Sequence, residues 1–139
     1  MTSVGSPIAD PSGRELAGPD RGPIDQEIFG CLCALQNPGR PNVLSKVLRI
    51  YLGDATSLME TLRASIARGD GSRTRSAAHS LRSSSSVVGA LGLAQLLGVL
   101  ESACSDPSGQ NAGEMMSDVE REYERVRTAL QEQMKRRGL

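Results

Sequence analysis

The sequence predicts an all-α protein, an antiparallel four-helix bundle with a short additional N-terminal helix. Two observations lead there. From Ile24 onward, apolar residues recur at spacings of three and four, the period of a helix buried on one side, and no segment alternates like a strand. The periodic segments are separated by short clusters of Gly, Pro, Asn and Asp, so each helix must fold back on its neighbour.

The elements follow in order. Asp25 is placed to cap a first helix whose stripe is Ile24, Ile28, Phe29, Leu32 and Leu35. Asn37-Pro38-Gly39-Arg40-Pro41 breaks it. A long helix is then expected from Asn42 to Ala67, with a stripe through Val43, Val47, Ile50, Tyr51, Leu58, Leu62 and Ile66. Gly69-Asp70-Gly71 ends it. A third helix is expected from Ser72 to Val88, a tight turn at Gly89, and a fourth helix from Ala90. Leu93, Leu96, Leu97, Leu100 and Cys104 mark one side of the fourth. Ser105 to Gly113 reads as a polar loop. The last helix, Glu114 to Arg136, buries Met116, Val119, Tyr123, Val126 and Leu130, and its other side pairs Glu and Arg at spacings of three and four, such as Glu132 with Arg136.

Residues 1–23 are poor in apolar residues and rich in Pro, Gly, Ser and Asp, so burial cannot offset their ordering entropy. They are expected to be a disordered tail or interdomain linker ahead of one domain over 24–139. The segment lacks the basic start and apolar run of a secretory signal. No stretch approaches the roughly 18 apolar residues of a membrane span. A cytoplasmic protein without membrane contact is expected.

Sixteen basic residues balance sixteen acidic ones, so no global attraction to nucleic acid is expected. With no Trp, one Phe and two Tyr there is no platform for stacking bases. Cys31, Cys33 and Cys104 are too few and too scattered for a disulfide framework. Cys31 and Cys33 would diverge by about 200° on a helix, too far to share a metal. All three read as small buried or half-buried residues, and no metal site is expected. Without a phosphate-cradling glycine loop or a nucleotide motif, no cofactor is expected either.

The single histidine, His79, decides the functional reading. Ala78, Leu81, Ser85 and Val88 mark the buried side of the third helix, and His79 stands about 200° from Leu81, facing solvent. Arg75, Arg82, Ser83 and Ser86 share its side. Helical side chains lean toward the N-terminus, so the residue one turn on leans over the imidazole. That residue is Ser83, small enough to leave the ring open to a bulky partner. Arg82 could set a cation beside a phosphoryl group on the ring. Arg63, Arg68, Arg73, Arg75 and Arg82 face only Glu60 and Asp70 nearby in sequence, which makes the region locally basic.

The run from Ala78-His79-Ser80-Leu81-Arg82-Ser83 to Val88-Gly89-Ala90 resembles the signature of histidine phosphotransfer (HPt) domains. That signature reads Ala-His-x-Leu-Lys, a glycine or small residue, further small and apolar residues, then Gly-Ala. The resemblance extends through Leu93, Leu96, Leu97, Leu100 and Glu101, and back through Tyr51-Leu52-Gly53-Asp54 and Gly69-Asp70, covering residues 24–136. Arg82 stands where the family has lysine, and Ser83 where it has glycine.

The resemblance implies a phosphoryl carrier, not an independent enzyme. His79 would take the group from a receiver-domain phosphoaspartate and pass it to another receiver, the receiver supplying the divalent metal. Glu101 would accept a hydrogen bond from Nδ1–H and fix the tautomer. Partners would be receiver domains of response regulators or hybrid sensor kinases, met by a monomer. The alternative is an HPt-like docking module that binds a signalling partner without transferring phosphate. The linker-like residues 1–23 fit both a free-standing protein and the terminal domain of a hybrid sensor kinase.

Overall fold

The computed structural model describes residues 22–36, 38–39, 42–104 and 112–139. Among them the regular structure is entirely helical: α1 (Gln26–Cys33), α2 (Val43–Arg68), α3 (Gly71–Val87), α4 (Leu91–Ala103) and α5 (Ala112–Arg137). The segment 1–23 expected to be a tail lies outside the described residues except for Gly22 and Pro23. So do most of the loop expected over 105–113 and three residues of the first breaker.

Local chemistry starts and stops the helices. The Asp25 carboxylate accepts from the Ile28 amide at 3.0 Å and caps α1. Gly69 ends α2 in the left-handed region at φ 71°, and the Asp70 amide reaches back to the Ser65 carbonyl at 2.9 Å. The next helix begins at once: Asp70 caps α3 through the Arg73 amide. Gly71 is therefore the first residue of α3, where the sequence reading had it in the breaker.

Helices α2 to α5 pack in cyclic order, α2 on α3, α3 on α4, α4 on α5, and α5 back on α2, with α1 against α3. Polar contacts give the directions. Tyr51 meets Ser85 while Ser65 meets Thr74, so α2 and α3 are antiparallel. His79 meets Glu101 while Gly98 faces Arg82, so α3 and α4 are antiparallel. Thr56 meets Tyr123 while Arg63 meets Glu120, so α2 and α5 are too.

The core joins Phe29, Leu48, Met59, Leu62, Leu81, Leu93, Leu97, Leu100, Val126 and Leu130 with their neighbours. All five residues assigned to the buried side of α5 are buried, as are Ala78, Leu81, Ser85 and Val88 on the inner side of α3. The stripe on α2 needs correction. Its buried seam is Leu44, Leu48, Tyr51, Ala55, Met59, Leu62 and Ser65, rotated from the expected one. Val47, Leu58 and Ile66 flank the seam half-buried, and Ile50 is 62 % exposed. Both sides of this helix carry apolar residues, and contact with α3 and α5 selects between them. Leu35 lies beyond the end of α1 and is exposed. Cys31, expected to be buried or half-buried, is exposed on the outer side of the short α1, whereas Cys33 and Cys104 are half-buried.

The turn between α3 and α4 anchors the N-terminal segment. Gly89 has φ 87°, and its carbonyl accepts from the Asp25 amide at 2.7 Å. A Cβ at this position would lie 2.9 Å from the Asp25 carbonyl oxygen. Glycine here permits both the turn and the close approach of a second backbone.

Candidate functional site

His79 lies mid-helix on the outer side of α3, with 58 % of its side chain exposed. Its neighbour Ala78 is wholly buried, so the core fixes the helix rotation that turns the imidazole to water. Ser83, one turn on, is exposed and small.

Two charged groups meet the ring at one nitrogen. Glu101 Oε2, from α4, lies 3.0 Å from His79 Nδ1. Arg82 Nη2 lies 3.1 Å from the same nitrogen. A guanidinium only donates and a carboxylate only accepts, so Nδ1 cannot serve both. The bond to the carboxylate is charge-assisted, and a ring lone pair facing an anionic oxygen at this distance would be repelled. Arg82 also has another outlet for its charge: its Nε lies 3.0 Å from Glu101 Oε1. That Nε–H is shielded from solvent and does not point along a hydrogen bond, so the contact is an ion pair by charge and distance. The geometry therefore favours the proton on Nδ1, donated to Glu101, and leaves the Nε2 lone pair free.

Arg82 thus sits on the Nδ1 side of the ring, paired with Glu101. Arg75, Arg82, Gly98, Glu101 and Ser102 line a shallow depression of about 250 Å³ beside the histidine. Arg75 has no ion pair among the described residues, and its charge partly offsets the burial that pushes the Cys104 thiol up. Ser86 turns its hydroxyl to the Arg82 carbonyl at 3.1 Å, along its own helix. The basic surface is smaller than the sequence implied, because Arg63 is paired with Glu120 of α5 at 2.5 Å and Arg73 with Asp70 at 3.9 Å. Among the described residues no group of His, Cys, Asp and Glu is arranged to hold a metal, and no helix is long and apolar enough to cross a membrane.

Sequence reasoning missed Gly98 and Ser102. Both lie within one turn of Glu101, so the only signal was that spacing, which says nothing about what faces them on α3.

The bundle thus presents one solvent-facing histidine, backed by a carboxylate from the next helix. The comparisons with known proteins give its class. The Hpt domain family model matches residues 46–131. The chain is 27 % identical over 107 residues to histidine-containing phosphotransfer protein 5 of Arabidopsis thaliana, covering 75 % of this chain and 68 % of that protein. Its fold is similar to that of histidine-containing phosphotransfer protein B from Pseudomonas aeruginosa PAO1, with TM-score 0.76 and 24 % identity, covering 82 % of this chain and 96 % of that one. A maize histidine-containing phosphotransfer protein gives TM-score 0.75 at 23 % identity, covering 84 % and 90 %. The chain belongs to the Hpt domain family, and its role is histidine phosphotransfer in a phosphorelay.

Proposed function

We propose that His79 is the phosphoryl acceptor, loaded from the phosphoaspartate of one receiver domain and emptied by the aspartate of another. The observation that carries this reading is the pairing of an exposed imidazole with Glu101 through Nδ1. In the forward step the Nε2 lone pair attacks phosphorus in line, the bond from phosphorus to the aspartyl oxygen breaks, and the aspartate leaves as a carboxylate. The proton stays on Nδ1. The ring gains positive character as the new bond forms, and Glu101, already in place, stabilises that charge. Arg82 holds the other Glu101 oxygen. Ser83 leaves room for the receiver's approach, and the exposed Arg75 adds positive charge on the same side. The reverse sequence delivers the group to the second receiver.

The receiver partners, the monomeric state and a cytoplasmic setting belong to this proposal, as does residue 24 as the start of the domain. A purely docking role would leave the His79–Glu101–Arg82 arrangement without purpose. The deciding experiment offers a phosphorylated receiver domain to the wild-type protein and to His79→Gln. Acid-labile, base-stable label on the wild type alone is expected. Label that persists on the variant would remove His79 from the pathway, and a wild type that binds receivers yet takes no label would favour docking.

A further inference from the structure

We infer that Gly98 is a positioning residue for the phosphotransfer site: the missing side chain on α4 makes room for the Arg82 stem, and so for its guanidinium to pair with Glu101 beside His79. The inference rests on the reading of His79 as the phosphoryl acceptor.

Glycine inside a helix is disfavoured, because it loses more conformational freedom on folding than any other residue. Most of the described glycines whose surroundings are defined have an evident reason or cost little. Gly69 and Gly89 adopt positive φ, and Gly30, Gly53 and Gly113 face open space. Gly98 fits neither group. Its backbone is ordinary helix, so no dihedral requires glycine, and it is half-buried against α3. What it faces is a single side chain: a Cβ at 98 would lie 3.5 Å from Arg82 Cδ.

That distance separates small substitutions from large ones. A lone methyl would sit in ordinary van der Waals contact, whereas atoms beyond Cβ would enter the volume of the arginine stem. Arg82 could then not keep Nη2 at 3.1 Å from His79 Nδ1 and Nε at 3.0 Å from Glu101 Oε1. Glu101 stands three residues on, so one segment of α4 provides both the carboxylate and the gap through which its counter-charge arrives. Gly98 also lines the depression shared by Arg75, Arg82, Glu101 and Ser102, which a larger side chain would fill.

The test compares Gly98→Ala, Gly98→Val and Gly98→Leu in the full chain, alone and combined with Arg82→Ala. Leucine, a good helix former, separates steric displacement from the weaker helix propensity of valine. Two quantities are read: the shift and solvent exchange of the Arg82 Nε–H in nitrogen-15 NMR spectra, and the rate of transfer from a phosphorylated receiver. Gly98→Ala should keep the wild-type Nε–H signal and a transfer rate within about twofold of wild type. Gly98→Val and Gly98→Leu should lose the protected signal and slow transfer by roughly tenfold, the scale expected when a reacting group's support is misplaced. In the Arg82→Ala background, neither large residue should slow transfer further. An unmoved Arg82 signal in folded Gly98→Leu would overturn the inference, and so would a double variant clearly slower than Arg82→Ala. If the wild type accepts no phosphoryl group at all, the reading of His79 fails, while the Arg82 signal still judges the placement of Gly98.

Discussion

Glu101 Oε2 lies 3.0 Å from His79 Nδ1, although the two residues stand 22 positions apart and on different helices. The contact is made because α3 turns back into α4 at Gly89, bringing the middle of α3 beside the last turn of α4. In the proposed transfer it sets which nitrogen carries the proton and leaves the other to act as the nucleophile. Glu101→Gln keeps the size of the side chain and removes its charge. Transfer to His79 should fall roughly tenfold, measured as the initial rate of labelling by a phosphorylated receiver, with an unchanged circular dichroism spectrum. Labelling at the wild-type rate would show that Glu101 is only a rim carboxylate.

Ser83 tests access. Ser83→Phe would lay a ring over the imidazole from one turn on without touching the core, since position 83 is exposed. Thermal stability should change by less than about 0.5 kcal/mol, as for most surface substitutions. Labelling by the receiver should be nearly lost. Normal labelling would mean that the partner approaches from another side.

Gly89 tests the turn. Alanine there must hold φ near 87° and place its Cβ 2.9 Å from the Asp25 carbonyl. The left-handed conformation and the collision together should cost roughly 2–3 kcal/mol, read as a lower denaturation midpoint in urea. Contacts of α1 should weaken first, visible as faster amide exchange at Asp25.

Tyr51 gives a dependence on pH. Burial pushes its hydroxyl up from 10.0 to about 12, with the Ser85 hydroxyl 2.8 Å away pulling modestly the other way. Below pH 10 both folded and unfolded forms are protonated, and this contribution is fully present. Between pH 10 and 12 only the unfolded chain ionises, so stability falls as pH rises through that window and levels off above it. The loss from this residue should be about 2–3 kcal/mol. Tyr51→Phe should flatten that part of the curve, as followed by denaturation at pH 9 and 11. A variant curve parallel to the wild type would assign the alkaline loss to other groups.

Much of this was legible in the sequence, for reasons of locality. Helix periods, the cap at Asp25, the glycine turns and the burial of Ala78, Leu81, Ser85 and Val88 depend on neighbours within a turn or two. Simple angular arithmetic then placed His79 in solvent. The signature around His79 and the carboxylate of Glu101 were legible through their resemblance to a known family.

The tertiary structure decided what depends on opposing surfaces. The wheel of α2 carries apolar residues on both sides, and only packing against α3 and α5 chose Leu44 and Leu48 for the core and left Ile50 in water. The carbonyl of Gly89 found Asp25, Arg63 found Glu120, and Arg82 found Glu101 while facing Gly98. The sequence by itself determined the helices, the breaks between them and the exposure of one imidazole, because those follow from spacing along the chain. Which charges and gaps meet that imidazole was settled only where two helices come within contact distance, and spacing along one helix carries no information about the other.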